Sequence, residues 1–178
     1  MQIPFQYSVH IQQEPGAEPT HREFLADPEG DPRPELIEHM LEDLGETGSI
    51  VVHHAGFETE RIRELANYSP SHRPKLASLL DRIRDTEIPF KENWYLHPAL
   101  MGRSTIKVVL PTLAPELSYE DMEIGEGQTA SLAFGDMVDG RVAVENVRST
   151  REALLDYCRL DTRAMVAIVE KLRTLISD

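Results

Sequence analysis

From Ile3 to Ile11 the chain alternates, with Phe5, Tyr7, Val9 and Ile11 on one side and Gln6, Ser8 and His10 on the other, a period of two that predicts a strand. The run Glu14-Pro15-Gly16-Ala17-Glu18-Pro19 predicts a turn, and residues 21–25 predict an antiparallel return strand, so the opening is a hairpin. The period then changes. Leu36, Ile37, Met40, Leu41 and Leu44 recur at helical spacing, behind Asp31 as a cap and Pro32 in the first turn, and Gly45 ends the helix. Residues 49–53 form a short, continuous β-branched run, as in a strand covered on both faces, and a second helix carrying Ile62, Leu65 and Ala66 follows Gly56. Residues 76–83 predict a helix and residues 93–103 a loop. Residues 106–110 fit a strand or a helix start equally. Residues 127–137 predict a short helix and residues 139–146 a polar turn. Ser149 and Glu152 stand at capping-box spacing and open a last helix over residues 149–176. The order β, β, α, β, α and then a long helix predicts an α/β fold with helices packed on a sheet.

The last helix carries one residue out of place. Leu154, Leu155, Cys158, Met165, Ile168, Val169, Leu172, Leu175 and Ile176 mark a single apolar face, and Asp161 falls on it. A carboxylate there costs several kcal/mol, on the order of a buried ion's lost solvation, unless a cation or hydrogen-bond donors meet it. Tyr157 lies one turn before Asp161, so a phenol and a carboxylate can serve one site. In the run His54-Ala55-Gly56-Phe57-Glu58, Glu58 follows the end of the third strand, where a second carboxylate can enter the same cleft. Two close carboxylates raise each other's pKa, and a divalent cation between them reverses that effect. Oxygen-only ligands favour Mg or Mn.

Composition narrows the classes. The 178 residues, 40% of them hydrophobic, suit one domain spanning residues 1–178. The lone Cys158 excludes an internal disulfide and a cysteine-clustered zinc site. No run approaches the roughly 20 apolar residues of a membrane span, and the first residues carry no signal-like pattern, so a cytoplasmic protein without membrane contact is expected. A formal charge of −13 argues against broad attraction to nucleic acid, so a phosphate-bearing substrate needs a metal or a local basic patch.

Tyr157-Cys158-Arg159-Leu160-Asp161 resembles the third motif, Tyr-x-x-x-Asp, of a subgroup of the DEDD exonucleases in the ribonuclease H-like superfamily. His54-Ala55-Gly56-Phe57-Glu58 resembles the second motif, Asn-x-x-Phe-Asp, with His for Asn and Glu for Asp, and Asp85-Thr86 resembles a pair that often follows it. More narrowly, almost the whole chain is similar to a family of uncharacterised bacterial domains often joined to a RecB- or Cas4-like nuclease region. The marks of that family are Ile3-Pro4-Phe5-Gln6, Asp31-Pro32-Arg33, Phe57-Glu58, Ser104-Thr105-Ile106-Lys107-Val108-Val109-Leu110-Pro111 and the segment from Tyr157 through Met165. The resemblance implies a metal-dependent 3′–5′ exonuclease-type domain acting on nucleic acid, with Glu58 and Asp161 as metal ligands, Tyr157 orienting the attacking water, and His54 and Lys107 meeting substrate. It also implies a mixed sheet flanked by helices. The first motif, Asp-x-Glu on a central strand, is absent before Ile3. The expectation is therefore an N-terminally truncated fragment of a longer protein, weak or inactive alone, whose sheet is completed by rearrangement, by another chain's strand or by a homodimer exchanging strands.

Simpler readings stand beside these. Asp161 can pair with Arg84 or Arg103, Tyr157 can be a core residue with its hydroxyl at the rim, and Glu58 can serve the helix dipole. Asp85 can be a solvated charge or a helix cap, and Lys107 a surface residue. A noncatalytic nucleic-acid-binding or protein-interaction module of the same fold is the alternative to the enzyme. A zinc hydrolase ranks last, because the spacing of His53, His54 and His97 does not support a site: adjacent His53 and His54 point to opposite faces, and no His-Glu-x-x-His occurs.

Overall fold

The computed structural model describes residues 3–120 and 122–177. Strand β1 (Gln6–Ile11) pairs antiparallel with β2 (Thr20–Leu25), Gln6 opposite Leu25 and Ile11 opposite Thr20, as the alternation predicts. Helix α1 (Arg33–Leu44) follows and buries Leu36, Ile37 and Met40. Its cap position is Pro32, and Asp31 sits one residue earlier, where it accepts from the Arg33 backbone N–H at 3.0 Å and grips the Arg33 guanidinium. Gly45, at φ 53°, turns the chain out of the helix, and Arg82 clamps this exit by donating to the carbonyls of Leu44, Gly45, Thr47 and Gly48. A guanidinium there meets carbonyls that lack intrahelical donors and favours the negative end of the helix dipole.

Strand β3 (Ile50–Val52) leads through α2 (Gly56–Tyr68) and α3 (Arg73–Arg82) to β4 (Ile83–Asp85), which lies parallel to β3 with Ile50 opposite Ile83 and Val52 opposite Asp85. A parallel pair needs such a crossover. Helices α1, α2 and α3 close one core over Leu36, Ile37, Leu65, Leu76 and Leu79, joined by Tyr7 and Phe24 from the hairpin. After α4 (Ile88–Lys91) and a turn of 3₁₀ helix (Pro98–Leu100) come α5 (Ile106–Leu113), α6 (Gly127–Val138) and α7 (Val144–Ser177). Helix α7, about 50 Å long at 1.5 Å per residue, packs against β1, β2, β3, α5 and α6 and ties the pieces together.

Several expectations change. Residues 106–110 are helical, β4 was not foreseen, and the loop over residues 93–103 contains the 3₁₀ turn. Strand β3 is not covered on both faces: Val52 is buried while Val51 is exposed. The last helix starts at Val144, so Ser149 and Glu152 form no capping box. The Ser149 and Thr150 hydroxyls fold back onto the Asn146 carbonyl, and Glu152 pairs with Arg148 at 2.8 Å. Leu175 and Ile176 are exposed, beyond the elements that cover the earlier part of the stripe. The expected single mixed sheet is two separate two-stranded ladders among the described residues, within a mixed α/β architecture.

Candidate active site

On α7, Leu154, Tyr157, Asp161, Ala164 and Ile168 follow one another at intervals of three and four, and Leu154, Ala164 and Ile168 are fully buried. Their burial fixes the rotation of the helix and turns Tyr157 and Asp161 toward the body of the protein. Asp161 Oδ1 accepts from the Tyr119 hydroxyl at 2.7 Å, and the Tyr157 phenol lies close enough to favour the ionised carboxylate. The two rings lie 6.5 Å apart. Burial, followed by the charge of Asp161, raises the pKa of both phenols. Burial also raises the pKa of Asp161, against the two phenols and the Lys107 ammonium. Neither Arg84 nor Arg103 pairs with Asp161: Arg84 donates to the carbonyls of Asp81 and Ile83, and Arg103 lies against Met101 Sδ.

The second carboxylate belongs to α2. Glu58 stands in the first turn of α2, and its Oε2 is shut off from solvent with no hydrogen-bond partner. Burial pushes its pKa up to about 7; the charges of Asp85 and Asp161 add to this, while its own backbone N–H and His54 oppose it. Glu58 and Asp161 thus lie in one electrostatic neighbourhood although they belong to distant segments.

Asp85, at the end of β4, fixes the turn that delivers Glu58. Its Oδ1 accepts from the N–H groups of His54 (3.0 Å) and Glu87 (2.8 Å), and its Oδ2 from that of Ala55 (2.8 Å). Burial alone would raise the Asp85 pKa, but these donors outweigh it and hold the group below its usual value. The turn needs this support because His54 has φ 72°, which a non-glycine residue rarely adopts. His54 Nδ1 meets Glu87 Oε2 at 2.8 Å, and Glu87 Oε1 accepts from Ser104 Oγ at 2.7 Å. His53 lies between Thr86 Oγ1 and the Ser104 carbonyl, so neither histidine presents a zinc-like pair.

Of the residues singled out by sequence, Tyr157 and Asp161 share one face of α7, while the charge of Asp161 reaches Glu58 on α2 only weakly. His54 acts electrostatically on Glu58 and Lys107 on Asp161, while Lys107 Nζ also pairs with Glu126 at 3.3 Å. Tyr119 was missed because it lies in an aperiodic loop with no motif around it, and Glu87 because no local pattern marks it as a buried carboxylate. Burial pushes the Cys158 thiol up to about 12, which disfavours the thiolate form.

The fit to a divalent cation is partial. The unsatisfied buried oxygen of Glu58 suits Mg or Mn, which often bind one or two carboxylates and complete their shell with water. Among the described residues no group of three or more His, Cys, Asp or Glu side chains is arranged to hold a metal.

The elements define an α/β protein that carries one buried carboxyl at the start of α2 and another on its last helix. Residues 1–105, more than half of the chain, match the family described as Domain of unknown function (DUF2779), and the chain belongs to that family. The match contains His54, Glu58 and Asp85 and stops before Tyr119, Tyr157 and Asp161. No curated protein and no solved structure matches the chain. Among the described residues no helix is long and apolar enough to cross a membrane.

Proposed function

We propose that this is a metal-dependent nuclease domain of the 3′–5′ exonuclease type, in which Glu58 and Asp161 hold Mg or Mn. The observation that carries the reading is Glu58 Oε2, shut off from solvent with no hydrogen-bond partner on a carboxyl whose pKa burial raises and to which the charge of Asp161 adds. Without compensation this arrangement is unfavourable, and a divalent cation is the simplest compensation. A cation there would supply charge neutralisation and Lewis acidity to a phosphodiester. Tyr157, held against Asp161, would orient the attacking water, and Lys107 and His54 would meet the phosphate.

The ribonuclease H-like arrangement is part of this proposal. Strand β1 pairs only with β2, and β3 only with β4, among the described residues, while α7 lies against both β1 and β3. One further strand between the ladders would complete a mixed sheet, cover Val51 and bring the remaining carboxylates of a two-metal centre. It would come from another part of the same protein, such as a RecB- or Cas4-like nuclease region, or from a second copy.

Asp161 is already met by the Tyr119 hydroxyl, which supports a second reading, a noncatalytic nucleic-acid-binding or protein-interaction module. A single assay separates them: a single-stranded oligonucleotide labelled at its 5′ end, incubated with Mn and the longest natural polypeptide containing this chain. Stepwise shortening that disappears in Asp161→Ala supports the nuclease. Cleavage unchanged by that substitution, or no cleavage at all, removes it.

A further inference from the structure

The loop after α4 is built to hold apolar side chains out in solvent. The backbone N–H groups of Trp94 and Tyr95 both donate to the Pro89 carbonyl, at 2.8 and 3.0 Å. Tyr95 packs edge-on against Phe90, with ring centroids 5.6 Å apart, and Leu100 is buried among Phe90, Val109 and Ile168. These anchors fix the loop at two points, yet Trp94 is 74%, Leu96 74% and Met101 77% exposed. Asn93 and Met101 hold left-handed backbone conformations, φ 58° and 50°, that shape the loop's two ends. A tethered loop that holds a tryptophan out in water keeps a large flat apolar ring ready for a ligand.

Beside the loop runs an open groove of about 540 Å³ lined by His97, Arg103, Lys107, Pro111 and Thr112, among others. No carboxylate lines it, in a chain whose formal charge is −13. Lys107 has Glu126 at 3.3 Å, whereas Arg103 has no carboxylate partner among the described residues. His97 Nδ1 accepts from the Ala99 N–H at 3.2 Å, which places the proton of the neutral ring on Nε2, a donor. Lys107 belongs both to this groove and to the electrostatic surroundings of Asp161.

We infer that this loop and groove bind a single-stranded polynucleotide, with Trp94 stacking on a base and Arg103, Lys107 and His97 meeting the backbone phosphates. An aromatic platform beside a basic groove is how sequence-tolerant single-strand binding works. The inference builds on the nuclease reading by naming the path along which a strand reaches the acidic pair, yet binding does not require the metal.

Trp94 is the only tryptophan, so its fluorescence reports on the site directly. The test titrates the protein, in EDTA, with oligothymidylate and oligouridylate of about 12 nucleotides. Saturable, salt-sensitive quenching is expected, and a stronger response to one oligonucleotide tells DNA from RNA. With a labelled oligonucleotide followed by anisotropy, Trp94→Ala is expected to weaken binding about tenfold, and Arg103→Gln to lower the salt slope by about one. Absence of quenching, equal quenching by the base-free polyanion heparin, or binding indifferent to both substitutions overturns the inference. Oligonucleotide binding without Mn-dependent cleavage leaves it standing and removes only the nuclease reading.

Discussion

The Tyr119 hydroxyl donates to Asp161 Oδ1 over 2.7 Å, joining the loop between α5 and α6 to the middle of the last helix. With Tyr157 on the same carboxylate, Asp161 is solvated by phenols instead of water, which is how an acid persists on an otherwise apolar stripe.

Tyr119→Phe removes one of these donors and leaves the ring in place. In metal-free protein the expected loss is about 1–2 kcal/mol of unfolding free energy, at the lower end of a charge-assisted bond because Asp161 is only partly buried. Urea denaturation checks this, and an unchanged midpoint would mean that the bond contributes nothing net.

Asp85 supports Glu58 at one remove. Asp85→Ala leaves the N–H groups of His54, Ala55 and Glu87 without their acceptor and frees a turn that contains a left-handed histidine. A loss of about 2–3 kcal/mol is expected, together with weaker Mn binding through misplacement of Glu58. Asp85→Asn keeps an acceptor oxygen and should recover part of both. Denaturation and Mn titration of the two variants test the order wild type, Asn, Ala.

Glu58 sets a pH dependence in the metal-free protein. Its folded pKa of about 7 lies above the ordinary 4.5, so the folded form holds the proton more tightly than the unfolded chain. The resulting stabilisation is complete below about pH 4.5 and is lost as pH rises through about 7, approaching 3 kcal/mol at about one pKa unit per 1.36 kcal/mol. Glu58→Gln has no such proton to lose. Unfolding free energies between about pH 5 and about pH 8 should fall more steeply in wild type than in Glu58→Gln, and parallel profiles would refute the burial of this group.

Much of this was legible in residue patterns. The hairpin followed from strict alternation between Phe5 and Ile11, and α1 from its apolar spacing, its prolines and Gly45. Asp161 announced itself because a carboxylate interrupts a stripe whose neighbours, Leu154, Ala164 and Ile168, are fully buried. What was illegible had local signals that tertiary contacts overrode or replaced. Ile83 to Asp85 is too short to carry a period, and its pairing with Ile50 to Val52 is a long-range event. Ser149 looked like a cap but lies inside a helix already begun at Val144. Tyr119 and Trp94 matter through where their loops are anchored, which no spacing in the sequence encodes.

The account rests on Glu58 and Asp161 sharing one cation, and Mn titration followed by electron paramagnetic resonance measures this without any substrate. Wild-type protein is expected to bind Mn at a site that weakens by about tenfold or more in Glu58→Gln and again in Asp161→Asn, one lost carboxylate in each case. Equal Mn binding by all three proteins, or none by any of them, would contradict it.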